Sequence, residues 1–250
     1  MNIITENIYE IAMEYAEKTA KECYKLVKVE DETPFIMENK LGGMPYIPKG
    51  NRVPRDTNGN YMALLLQVNL GEVHLDGYPN TGILEIFGTK EIDWPQEFKI
   101  LYFEENLEPE LELPVVETEN FFIVEPIKVE LEKTIVHMPL TDYRATDVFN
   151  EIIRKYGVQV NSIYDLEDEA IDRLQEAIII APATIGGYAD FTQSDPRSEE
   201  DDRNECLFKL DSLFDNNVFI GDAGILTVTG SKEDLKEKYL DQFVLDWDCC

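Results

Sequence analysis

Positive charge is what this chain has least of. It carries 22 Lys+Arg against 51 Asp+Glu over 250 residues, a formal net charge of −29. Nucleic acid and anionic lipid are themselves negative, so neither is expected as the main partner. Histidine is nearly absent, with only His74 and His137. The four cysteines, Cys23, Cys206, Cys249 and Cys250, show no CxxC spacing, so neither a zinc site nor a disulfide scaffold is expected. The longest aliphatic stretch lies near residues 177–181 and stops at Pro182, far short of the ~20 residues a membrane helix needs. The first residues read MNIITENIYEIAMEYAEKT, with early acids and no apolar h-region. No signal peptide is therefore expected, and the reading is a cytoplasmic protein. No Walker A, GxGxxG, GxSxG or HExxH motif is found, so no cofactor is expected.

What is present is core-forming material. Hydrophobic residues make up 44% of the chain and aromatics 10%, which excludes disorder throughout. The acids are evenly spread, 24 in residues 1–125 and 51 − 24 = 27 in residues 126–250. Two local clusters stand out, at 104–119 and 199–205. They read as solvated loops or as a surface for a basic partner.

Helical spacing predicts a helix over 6–28, with Ile8, Ile11, Ala12 and Tyr15 on one face and Cys23, Leu26 and Val27 continuing it. Thr5 is its expected cap, and the Ile8/Ile11/Tyr15 face is expected to pack on a sheet. Further helices are predicted over 142–156, 165–177 and 232–239, the last following Ser231. Strands are predicted over 35–41, 63–69, 82–88, 98–103, 121–126, 177–181, 207–212, 224–229 and 243–247, and Asn58-Gly59 is a hairpin signal.

The strands repeat. Leu41-Gly42-Gly43 recurs as Ile185-Gly186-Gly187, an offset of 144. The run Leu65 to Asn69 recurs as Leu207 to Asp211 and Gly82-Ile83-Leu84 as Gly224-Ile225-Leu226, both offset by 142. Phe98, Ile100 and Tyr102 match Phe243, Leu245 and Trp247, offset by 145. These blocks predict an internal duplication within a single domain over 1–250. Its β-rich units would be 34–103 and 177–248, with 104–176 as an acidic and helical insert. The fold class expected is α+β, with largely antiparallel sheets and an N-terminal helix. Each Gly pair is expected to supply positive φ or close backbone approach at a sheet corner.

The segments Lys40-Leu41-Gly42-Gly43-Met44-Pro45-Tyr46, Leu64 to Asn69 and Tyr78-Pro79-Asn80-Thr81-Gly82 carry a resemblance. So do Phe191 to Arg197, Gly221-Asp222-Ala223-Gly224 and Trp247-Asp248-Cys249-Cys250. Together they resemble the YwqG-like family of bacterial proteins of unknown function. The resemblance covers most of 34–250 and implies two similar β-rich units, with no established reaction or cofactor. Ala189, Lys209 and Ile220 depart from it, standing where Pro, Gln and Trp are expected.

Candidate ligand-binding residues are Arg55, Gln67, Asn69, Arg197, Asp211 and Asp222. Asn69 and Asp211 close equivalent strands and either face one cleft or cap turns. Arg55 and Arg197 form either structural ion pairs or a clamp for a carboxylate or phosphate. Asp222 lacks a visible acid–base partner. Asp56, Asn58 and Asn60 imitate a calcium loop, but Tyr61 and Gln67 occupy positions that require Gly and Glu, so no metal site is expected. The function expected is a non-catalytic binding or interaction protein with a basic protein partner, an immunity-like inhibitor of a basic toxin being one version. The runner-up is an enzyme, a hydrolase, with its site in a cleft between the units.

Overall fold

In the computed structural model, which describes residues 3–89, 97–105, 107–118 and 121–250, ten strands make one antiparallel sheet. They are β1 (Lys21–Lys28), β2 (Lys40–Leu41), β3 (Ala63–Asn69), β4 (Ile83–Gly88), β5 (Phe98–Phe103), β6 (Ile127–Val136), β7 (Ala183–Gly186), β8 (Glu205–Asp211), β9 (Ile225–Gly230) and β10 (Val244–Asp248). Their order is β10-β9-β8-β7-β1-β6-β2-β3-β4-β5. The sheet curls toward a barrel, so that Leu65, Leu84 and Ile86 from one half share a core with Phe208, Leu226 and Val228 from the other.

The order reads the same from both edges once β1 is exchanged with β6 and β2–β5 with β7–β10. Local detail follows that exchange. The β3–β4 ladder slips between Leu64 and Leu66, and the β8–β9 ladder slips between Cys206 and Phe208. Each slip leaves one extra residue on the bulged strand, which sharpens its twist and helps the sheet curl. At the strand ends, Asn69 accepts from the N–H of Gly71 and Asp211 from that of Leu213, each capping a short 3-10 turn.

Both glycine pairs have positive φ, +67° and +78° at Gly42 and Gly43, +79° and +81° at Gly186 and Gly187. A Cβ at Gly187 would lie 2.9 Å from Cγ2 of Val136, and one at Gly43 would lie 2.7 Å from Cβ of Pro126. Left-handed backbone and contact therefore coincide there. Gly187→Ala is expected to destabilise the protein by about 1–3 kcal/mol. A urea titration would show a lower midpoint at unchanged slope, and an unmoved midpoint would refute the argument.

Several expectations are corrected. The predicted helix over 6–28 ends early. Its helical part is α1 (Ile3–Glu6) and α2 (Ile8–Thr19), and 21–28 is strand β1. Cys23, Tyr24 and Leu26 are buried between β6 and β7, so tertiary pairing overrides the helical spacing. Thr5 lies inside α1 and does not cap. The cap position of α2 is Asn7, whose side chain donates to the carbonyl of Ile3. The Ile8/Ile11/Tyr15 face packs on α3 (Ala145–Ile153) and α4 (Asp168–Ala177), not on the sheet. There it meets Phe149, Ile152 and Leu174, and the Tyr15 hydroxyl donates to the carbonyl of Met138.

The strand expected over 35–41 is only Lys40–Leu41. No regular strand forms over 121–126. Phe121 and Phe122 plug the core instead, held by a single bridge from Ile123 to Val218. Residues 178–181 are not a strand either. Ile179 and Ile180 are exposed, and β7 begins after Pro182. Segment 104–176 contains β6, the partner of β1 at the centre of the sheet, besides its acidic stretch and two helices. Glu119, the last acid of that stretch, lies outside the described residues. A 3-10 turn follows α3 and ends at Gly157 (φ +72°), and the Ser231 cap of α5 (Lys232–Glu237) matches expectation. No helix among the described residues is long and apolar enough to cross a membrane.

Candidate functional site

The six candidate residues do not gather in one place. Arg55 sits on the small hairpin around Asn58-Gly59, donating to the carbonyl of Gly59 and stacking 3.7 Å from the Tyr61 ring centroid. Asn69 and Asp211 spend their side-chain oxygens on turn caps. Burial raises the Asp211 carboxyl above its usual range, and the Leu213 N–H partly offsets that. Asp222 is exposed, and its carbonyl accepts from the N–H of Cys250.

Gln67 is fully enclosed. Its Oε1 accepts from the N–H of Tyr46 at 2.7 Å, and its Nε2 donates to the carbonyls of Ile36 and Glu38. In sheet register it lies between Lys40 and Glu85, which are buried too. Lys40 Nζ donates to the carbonyls of Phe35 and Ile36. Among the described residues neither carboxylate oxygen of Glu85 has a hydrogen-bond partner. Burial pushes the Glu85 carboxyl up to about 8 against the pull of the Tyr46 N–H and Lys40. Burial likewise draws the Lys40 ammonium down to about 8, opposed by Glu85 and Glu38.

In the other half the register holds Thr184, Lys209 and Thr227 at the matching positions. Lys209 is buried and faces Asp190 at 3.8 Å. Arg197 is deeper still. It forks onto Asp195 through Nε at 2.9 Å and Nη2 at 2.7 Å, and Nη2 also reaches Asp142 at 3.1 Å. Asp142 takes a second fork from Arg144, at 2.8 and 2.6 Å. Burial alone would raise the Asp142 carboxyl, but Arg144 and Arg197 overcome it and hold it below its usual range. Arg197 is therefore a structural tie and is not available as half of a clamp with Arg55. Of the three departures noted in the sequence, Ala189 and Ile220 are core residues and Lys209 is the buried partner of Asp190.

One cleft is lined by both halves of the sheet. Its walls are the 76–81 loop, the end of β5 at Tyr102 and Glu104, and α5 with Lys232, Lys236 and Lys238. Its volume is about 510 Å³. Lys232 pairs with Asp76 at 2.8 Å and Lys238 with Glu104 at 2.9 Å. A second cavity of about 340 Å³ lies beside β10, under Phe191, Pro196 and Trp247. The sequence reading passed over the cleft lysines, Lys40, Glu85 and Asp142. The signal for the first was local: lysines four and six residues apart in a chain poor in them. Among the described residues no group of three or more His, Cys, Asp or Glu is placed to hold a metal ion.

A nearly closed antiparallel sheet, a helical pack on one side and a cleft at the seam define an α+β protein with an inter-half cleft. The chain belongs to the family described as Domain of unknown function (DUF1963), which matches residues 39–249. The match takes in β2–β10 and the cleft, and leaves α1, α2 and β1 outside it. No curated protein matches the chain.

Proposed function

We propose that this is a non-catalytic binding protein of the YwqG-like type, built by internal duplication, whose acidic surface docks a basic protein partner. The exchange symmetry of the sheet and the matched bulges and caps support the duplication. One observation carries the docking reading. The acidic segment 107–118 has no regular structure and presents Leu107, Leu111 and Val115 to solvent, Val115 at 88% exposure. Glu108, Glu110, Glu112 and Glu117 flank them. Apolar anchors set among like charges suit a basic surface carrying apolar pockets, because charge speeds encounter while burial of the anchors holds the complex. Support also comes from the candidate polar residues, since Gln67, Asn69, Arg197 and Asp211 are spent on the fold. An inhibitor of a basic toxin is one concrete version.

The test is capture from native cell lysate at low and moderate salt, using the full chain and a Leu111→Ser/Val115→Ser variant. A basic protein retained by the first and weakened about tenfold or more in the second is expected, since a buried Leu or Val contributes about 1.5–3 kcal/mol. Equal retention by both chains, or no basic protein at all, counts against the reading.

A further inference from the structure

We propose that the cleft between α5 and the 76–81 loop binds a small phosphorylated molecule of nucleotide size. In a chain of net charge −29, three of the 22 basic residues line this one cleft. Against them stand Asp76 and Glu104, so the lining carries 3 − 2 = +1. Lys236 is the excess cation, with no ion pair among the described residues within 4.0 Å, the reach within which Lys232 and Lys238 find theirs.

The fold keeps these ammonium groups together against its own local preferences. Lys232 and Lys236 are like charges at i, i+4 on a short helix, which weakens it. Lys238 stands at the left-handed C-cap of α5, where its N–H closes the helix on the carbonyls of Asp234 and Leu235. Its ammonium lies 5.1 Å from the Tyr102 ring centroid and against Glu104. Local conflict of this kind is what a binding site produces.

The two carboxylates do not fill the site. The side chains of Asp76 and Glu104 are 87% and 65% exposed, and exposed ion pairs contribute little. A phosphate dianion can therefore replace them on the lysines, and lysine serves phosphate as a mobile point charge. The tyrosines indicate the rest of the ligand. Tyr78 donates its hydroxyl to the carbonyl of Cys206, and Tyr102 donates its hydroxyl to that of Thr81. Both residues line the cleft while packing on the core behind it, and an apolar wall of that kind suits a flat organic group. A volume of about 510 Å³ lies within the usual range for small-molecule sites.

Isothermal titration of the full chain with adenosine monophosphate, inorganic phosphate and adenosine tests this. Adenosine monophosphate should bind tightest, phosphate weakly and adenosine undetectably. Lys236→Ala should weaken adenosine monophosphate by about tenfold or more, whereas Lys49→Ala, a surface lysine paired with Glu108 elsewhere, should leave binding unchanged. Both substituted lysines are solvent-facing, so thermal melting should not fall and a folding defect is separable from lost binding. Absence of adenosine monophosphate binding at millimolar concentration overturns the proposal. So does equal binding by wild type and Lys236→Ala.

Discussion

Arg197→Ala should cost the protein about 3–5 kcal/mol, because it removes one partner from a buried ionic network and leaves the others charged. The Arg197 side chain is 1% exposed, and the side chains of Asp195 and Asp142 are 2% and 0% exposed. Asp142 keeps its fork from Arg144, whereas Asp195 loses both oxygens' guanidinium bonds at once. Asp195 still accepts from the backbone N–H groups of Tyr143 and residue 197, which softens the loss without neutralising the charge. The sign of the pH dependence follows. The Asp142 carboxyl is held below its usual range in the folded chain, so its stabilising share is present above the unfolded value and lost as pH falls through the folded one. In Arg197→Ala that share shrinks, and the gap between variant and wild type should narrow as acid protonates Asp142. Arg197→Lys keeps the charge but not the fork, and should fall between the two. Denaturant titrations of all three chains across acid and neutral pH would check this. A loss below about 1 kcal/mol in Arg197→Ala would mean that the network is not what ties the 195–197 turn to the segment before α3.

The strands that repeat were legible because their pattern is local. Ala63–Asn69 and Phe98–Phe103 are bounded as the spacing predicts, and the left-handed backbone of the Gly pairs follows from residue type alone. The class, α+β with antiparallel pairing, was likewise available. The centre of the sheet was not. In β1 the sequence Lys21–Lys28 continues the helical stripe of α2 closely enough that only its pairing with β6 decides its conformation. In β6 the alternation of Ile127, Val129 and Leu131 was present, but it is masked by the glutamates and lysines around it. The site suffered from the opposite fault. Arg55, Arg197, Asp211 and Asp222 are individually the residue types that bind ligands, yet nothing in a sequence separates a free guanidinium from one already forked onto two buried carboxylates. The cleft is assembled from residues more than a hundred positions apart, Asp76 with Lys232 and Glu104 with Lys238, so the local lysine cluster at 232–238 could not show by itself which segments it faces.

Glu85 should make the protein less stable as pH rises, and Glu85→Gln should remove that loss. The Glu85 carboxyl is buried beside Gln67, with Lys40 one strand further on, and neither oxygen finds a hydrogen-bond partner among the described residues. Burial raises it from 4.5 to about 8. A group raised on folding contributes fully below its unfolded value and loses that contribution as pH climbs to the folded one. The window is therefore about pH 4.5 to 8, and the loss across it approaches roughly 3–5 kcal/mol. Lys40 does not blur the slope there. Its ammonium is drawn from 10.5 down to about 8, so below the lower value it is charged in both folded and unfolded chains. Its own penalty is near constant until the top of the window and is relieved as pH passes about 8. Glu85→Gln keeps the shape of the side chain and cannot ionise, so its stability curve should lie flat where that of the wild type descends. Near pH 5 the two chains should be close, because the wild-type carboxyl is then protonated in the fold. Above pH 8 the variant should be more stable by a few kcal/mol, an inversion of the usual result that substituting a buried residue destabilises. Urea midpoints measured at pH 5, 7 and 9 decide it. Parallel curves for the two chains would overturn this and show that Glu85 is ionised in the fold throughout.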